Sequence, residues 1–138
     1  MNQDIITYQS VFLDNVNITV VFKENSNYET LKSIFDKYGF GFYFPKNKTI
    51  IIDGEIFLDT ELNFDDLRFV EAHEIGHLML GHTGGVRYDE DEIDADLMAY
   101  LLLKKQGLST ERLVDTFEDR HGIEFSQELF DRFKLRFL

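Results

Sequence analysis

The chain has 138 residues, of which 43% are hydrophobic and 14% aromatic, a composition typical of a folded protein and not of a disordered one. Its formal net charge of −12 argues against a nucleic-acid-binding surface, because neutralising phosphates requires Lys and Arg. The absence of cysteine excludes a disulfide framework and a thiolate metal site. We expect a single domain over residues 1–138, sheet-rich over 1–60 and helical over 61–138.

The first third of the chain has the pattern of a small sheet with one helix. In VNITVVF, residues 16–22, the side chains alternate with the two-residue period of a half-buried strand. Apolar residues recur at helical spacing over 31–38, and Gly39 is a typical helix end. An Asp-Gly pair, a common hairpin turn, separates the last two apolar runs of this region. Three antiparallel strands are therefore predicted near residues 40–44, 49–52 and 55–58.

Beyond these strands the pattern is helical. We predict helices over residues 64–80 and 90–106, a third after Ser109, and a fourth from Ser126 to near the C-terminus. The expected fold class is α+β: a small N-terminal antiparallel sheet of about three strands, packed on the first of these helices and on a C-terminal helical part. No apolar run approaches the length of a membrane span, and the N-terminal sequence lacks the features of a secretory signal. A cytoplasmic protein without membrane contact is therefore expected.

The sequence HEIGHLMLGH, residues 73–82, contains a metal-binding spacing. On a helix His73 and His77 lie on one face, about 40° apart, so both imidazoles can reach one zinc ion. Glu74 lies about 100° round from His73, close to the ion without binding it, which suits a base that takes a proton from the attacking water. The alternative is two hydrogen-bonded core histidines beside a solvated glutamate. Apolar residues cover most of this helix, and burying three polar groups there without a strong partner is costly, which favours the metal site.

A catalytic zinc ion takes a third protein ligand and keeps one position open. The extended motif with three histidines has a glycine where this chain has Leu80, and its third histidine comes one residue later than His82. The acidic run YDEDEIDAD, residues 88–96, instead offers Glu92 and Asp96, which share one helix face. We predict that Glu92 is the third ligand and that Asp96 accepts the second ring N–H of a histidine, with Asp96 as second choice for the ligand. The alternative is a solvated acidic helix start, favoured by the helix dipole.

HEIGHLMLGH followed by EIDADLMAYLLL resembles the ImmA/IrrE family of zinc metallopeptidases. Its members show a HEIGH-type helix and then a helix with a Glu-x-Glu-Ala-Asn-x-Phe-Ala-like pattern. The resemblance covers roughly residues 28–138, and Asp96 stands where the family often has Asn. It implies a catalytic glutamate and three metal ligands, at Glu74 and at His73, His77 and Glu92.

The resemblance implies a cytoplasmic, bacterial or phage-encoded zinc endopeptidase that hydrolyses a protein or peptide substrate. A repressor-type regulator of a mobile element or phage is one candidate substrate, and direct nucleic-acid binding is not expected. The substrate is expected to add as a strand along an edge of the N-terminal sheet. Tyr88, His82 and His121 all remain open as helpers for the oxyanion. Other classes also fit the motif: a metal-bound regulatory module that binds a partner without cutting it, or a toxin or antitoxin component.

Overall fold

A four-stranded mixed sheet forms the N-terminal part of the protein. The computed structural model describes residues 4–39, 41–57, 64–82 and 89–138. The sheet has the order β1-β2-β4-β3, so β1 and β3 are its edges. The β1–β2 and β3–β4 pairs are antiparallel, whereas β2 and β4 are parallel. The strands are β1 (Ile5–Gln9), β2 (Asn17–Val21), β3 (Gly41–Phe44) and β4 (Thr49–Asp53).

The helices lie close to their predicted positions, and the expected α+β fold class is confirmed. Gly39, with φ +99°, ends the first helix, and the Ser126 side chain caps the last one by accepting from the Leu129 N–H. In the described ranges no helix is long and apolar enough to cross a membrane. The α-helices of these ranges are α1 (Tyr28–Tyr38), α2 (Phe64–Met79), α3 (Asp89–Lys105), α4 (Glu111–His121) and α5 (Gln127–Phe137).

The sheet differs from the predicted one in two respects. β1 was not predicted, and it pairs with β2 as an edge strand whose side chains are only half-buried or exposed. The prediction of a wholly antiparallel sheet was wrong, because the chain re-enters the sheet at the end where β2 stops, runs back along β3 and turns again into β4, which is therefore parallel to β2.

The strand predicted near residues 55–58 is also wrong for its described part, since Gly54–Phe57 form a 3₁₀ helix. The Asp53 carboxylate accepts from the Glu55 N–H at 3.0 Å, which closes a local turn in place of a hairpin. A Cβ on Gly54 would lie 2.6 Å from the Phe22 ring, so this turn packs tightly under the sheet. Residue 58 lies outside the described ranges.

The sheet separates two apolar clusters. On one face, alternate residues of β2 and β4, such as Ile18 and Ile50, belong to the main core, which also contains residues of α2 to α5. On the other face, Val21 and Phe42 pack against Phe35 of α1. The main core holds α2 and α3 in the layer behind the sheet, and the candidate site forms between these two helices.

Candidate metal centre

Gly76, inside the HEIGH sequence, lets α2 and α3 pack backbone against backbone. A Cβ at this position would lie 2.6 Å from the Ala95 carbonyl oxygen. Ala95 and Ala99 are fully buried on the facing helix. Because Glu92 lies one turn before Ala95, this close approach sets its carboxylate beside the histidines of α2.

Gly76→Ala is expected to lower the free energy of unfolding by about 1–3 kcal/mol, the usual cost of overpacking a core. Alanine is favoured over glycine by roughly 1 kcal/mol in a helix, but here its methyl group meets a backbone carbonyl that cannot rotate aside. Denaturant unfolding of the metal-free variant and wild type measures the difference. An unchanged or higher free energy of unfolding would contradict this close packing of the two helices.

Three side chains converge where α2 faces the start of α3. The Nε2 atoms of His73 and His77 are 3.1 Å apart. Glu92 Oε2 lies 3.0 Å from His73 Nε2, and its Oε1 lies 3.1 Å from His77 Nε2. The structure thus brings together the three residues predicted as ligands, with one donor atom from each within 4.8 Å of the others. Their role as metal ligands stays a prediction.

This cluster fits a zinc ion by donor type and by spacing. Two imidazoles and one carboxylate, with an open fourth position, form a common catalytic zinc set. Donors bound to one tetrahedral ion at 2.0–2.1 Å would be roughly 3.3 Å apart. The two Nε2 atoms are 3.1 Å apart, and each lies 3.0–3.1 Å from a different oxygen of Glu92, which is close to that value.

Asp96 lies on the other side of the His73 ring. Its Oδ1 accepts from His73 Nδ1 at 2.7 Å, so Asp96, the second choice as ligand, is not in the cluster. Its Oδ2 accepts from His121 Nε2 at 2.5 Å and from the Arg120 guanidinium. Arg120 in turn donates to the Leu113 carbonyl. A fully buried carboxylate held by α4 therefore fixes the orientation of His73.

Burial and hydrogen bonds act in opposite directions on the pKa values of these groups. Burial by itself lowers the pKa of His73, but hydrogen bonds to Asp96 and Glu92 outweigh it and raise that pKa to about 10. Burial disfavours the charged forms of Glu92 and Asp96, yet hydrogen bonds from the neighbouring histidines hold both pKa values well below their usual range. Both carboxylates are therefore ionised at neutral pH, and a metal ion binding at His73 Nε2 has to displace a proton.

His82 lies on the Nδ1 side of the His77 ring. Helix α2 ends in a Schellman motif: Gly81 has φ +81°, its N–H donates to the Leu78 carbonyl, and the His82 N–H donates to the His77 carbonyl at 2.8 Å. This turn folds the chain back, so that His82 Nδ1 lies 3.1 Å from His77 Nδ1. The sequence indicated little room for such a return, because Leu80 stands where the extended motif has its glycine and the spacing to His82 is one residue short.

Glu74 lies under the edge strand of the sheet. Its side chain is 4% exposed, and its Cγ would be 3.2 Å from a Cβ on Gly41, so the missing side chain at Gly41 makes room for it. A cavity of about 370 Å³ opens beside the cluster. His73, Glu74 and Glu92 line it, together with an apolar wall of Phe69, Val70 and Ile93. The predicted base and two predicted ligands thus share one cavity.

Of the three residues left open as oxyanion helpers, His82 contacts His77 Nδ1 and is not among the residues that line the cavity. Tyr88 lies outside the described residues. His121 lines the cavity but donates to Asp96 behind His73, which favours a role in holding Asp96. Arg120, which also lines the cavity, was not predicted, because no sequence spacing links it to a residue 24 positions earlier.

No protein-family model, characterised protein or experimentally determined structure matches this chain.

Proposed function

We propose that the protein is a zinc-dependent endopeptidase of the ImmA/IrrE type. The observation that carries this proposal is the convergence of His73, His77 and Glu92, with Glu74 lining the same cavity as His73 and Glu92. A structural zinc site usually fills all four positions with protein ligands, and such a site has no need of an adjacent buried glutamate. Three donors with an acidic group next to them are instead typical of hydrolytic sites.

The proposed chemistry divides between the metal ion and Glu74. A zinc ion held by the cluster would polarise the scissile carbonyl and lower the pKa of a water molecule that it binds from 15.7 to about 7. Glu74 takes the proton from the attacking water and passes it to the leaving amine. Asp96 holds the His73 ring in the orientation that points its Nε2 at the cluster.

The substrate path that we propose follows β3. This strand is an edge of the sheet, and its Gly41 lies directly against Glu74. An extended peptide that adds to this edge would pair its backbone with β3 and pass beside the cavity. The net charge of −12 attracts a basic protein more strongly than an acidic one.

The proposed substrate is a protein or peptide, with a repressor-type regulator of a mobile element or phage as the candidate class. This follows from the resemblance of HEIGHLMLGH and EIDADLMAYLLL to the ImmA/IrrE family. A cytoplasmic site of action is part of the same proposal, because such regulators act there.

Metal removal tests the proposal. Wild-type protein supplemented with zinc is expected to hold about one equivalent and to generate new N-termini in an extract of cells of the organism that encodes it. Stripping the protein with a chelator should stop this cleavage, and one equivalent of zinc should restore it; mass spectrometry of the new N-termini measures both. Less than about half an equivalent of zinc would count heavily against the site. Zinc binding without cleavage would favour the regulatory module that binds its partner intact.

A further inference from the structure

We infer that His82 is a positioning residue for His77: it fixes the tautomer and orientation of that ring, with Asp91 behind it. The inference rests on the proposed metal site, and it goes beyond that site because His82 belongs to neither the ligands nor the proposed base. The histidine that follows the HEIGH sequence thereby gains a role that its spacing alone does not give it.

His77 and His82 face each other through their Nδ1 atoms. His77 directs Nε2 at the cluster, where Glu92 Oε1 is 3.1 Å away, and Nδ1 at His82. The two nitrogens of one imidazole lie on opposite sides of Cε1, so His82 approaches the side of His77 that faces away from the cluster. His82 therefore contacts a predicted ligand without being one itself.

This geometry determines which nitrogen of each ring carries the proton when a metal ion is bound. A neutral histidine that binds a metal through Nε2 carries its proton on Nδ1. His77 Nδ1–H then donates to His82 Nδ1, which must be unprotonated to accept. The proton of His82 is consequently on Nε2, and Asp91 Oδ1 lies 3.3 Å from that atom. Each ring nitrogen in this chain of contacts thus has one assignment.

The His77 ring is buried. The His77 side chain is 2% exposed, so water has little access to its Nδ1–H if the acceptor at position 82 is removed. A buried N–H that loses its acceptor costs the protein its desolvation free energy. The Schellman turn at Gly81 delivers the acceptor, because the His82 backbone N–H is tied to the His77 carbonyl.

The two predicted histidine ligands are thus held by different chemistry. His73 donates to Asp96, an ionised carboxylate that also accepts from Arg120 and His121. His77 meets a second imidazole, which makes no charge pair with it when both rings are neutral. Both arrangements hold a ring at its Nδ1, which is what orients Nε2 toward a common ion.

Zinc affinity of matched variants tests the inference, with competition against a chromophoric chelator as the measurement. His82→Leu removes the acceptor and puts an apolar side chain in its place. The dissociation constant of this variant for zinc is expected to rise about 10- to 100-fold. His82→Asn places an amide oxygen where Nδ1 stood, so it should restore most of the affinity. Leu80→Ala is the control, since it weakens packing at the same turn and leaves the acceptor in place.

The outcomes separate this inference from the proposed function. Equal zinc affinity in His82→Leu and wild type overturns the positioning role and leaves the metal site standing. A loss as large in Leu80→Ala as in His82→Leu also overturns it, because packing would then explain the effect. Wild type that binds no zinc overturns the metal site, and the inference falls with it. Zinc binding without peptide cleavage overturns only the peptidase proposal.

Nitrogen-15 NMR of the zinc-loaded wild type supplies a readout that packing alone does not control. Long-range proton–nitrogen correlations should show the proton of His77 on Nδ1 and that of His82 on Nε2. A proton on Nδ1 of His82, or zinc bound to a His82 nitrogen, would overturn the inference even if the affinities follow the expected order.

Discussion

Glu74→Gln is expected to abolish peptide cleavage while the protein stays folded and still binds zinc. Glutamine has the size and shape of glutamate, so it fits the buried position against Gly41. It cannot accept a proton from the attacking water, and positioned acid–base groups contribute roughly 10²- to 10⁴-fold to rate. The measurements are the rate at which new N-termini appear and the zinc content of the purified variant.

Glu71→Gln is the matched control for that variant. Glu71 is fully buried in the same helix and accepts from Ser10 Oγ at 2.8 Å, from the Val11 N–H at 3.1 Å and from Arg68 at 2.5 Å. The same change of charge there should lower the free energy of unfolding, because a buried ion pair loses one charge. The cleavage rate per folded molecule should stay near that of wild type.

Full cleavage activity in Glu74→Gln would end the peptidase proposal. If cleavage is lost as expected, the variant has a further use, since it should bind the substrate without releasing products. Proteins retained by zinc-loaded Glu74→Gln and not by Glu71→Gln are then candidate substrates. A repressor-type regulator among them would support the proposed substrate class.

Glu92→Ala is expected to reduce zinc affinity by more than the roughly 10- to 100-fold that loss of a residue behind a ligand costs. The change removes one of three donors and also the negative charge that contacts both histidines. Competition with a chelator of known affinity measures the dissociation constant. Glu90→Ala is the control, because Glu90 is an exposed acid in the same first turn of α3.

The order of the variant affinities decides the ligand assignment. Glu92→Ala should bind zinc more weakly than His82→Leu, and both should bind zinc more weakly than Glu90→Ala. A larger loss from a His82 substitution than from Glu92→Ala would move the third ligand back to His82. Equal affinities for Glu92→Ala and Glu90→Ala would show that only the acidity of the helix start matters.

Local patterns in the sequence were enough for the helices and for one face of the site. No end of α2 or α3 differs from its predicted position by more than one residue. His73 and His77 share a face because four residues are close to one helical turn, whatever surrounds the helix. The same rule placed Glu92 and Asp96 on one face of α3.

The turn at Gly81 was not predicted, although a local signal marks it. Gly81 precedes His82 at the end of an apolar helix, and glycine in this place is typical of a Schellman turn. The spacing put His82 one residue out of step with the extended motif, whereas the left-handed conformation of Gly81 returns it to the Nδ1 side of His77. The contact between His82 and His77 depends on this glycine.

By itself the sequence determined the α+β class, the helices and the spacing of the motif, since these depend on neighbours within one or two turns. Only the tertiary structure decided that the sheet is mixed, that Gly41 lies over Glu74, and that Arg120 and His121 hold Asp96. The side-chain contacts among these join residues 24 to 33 positions apart in the sequence. Such contacts depend on how the layers pack around the core, and no periodicity within a single element encodes that packing.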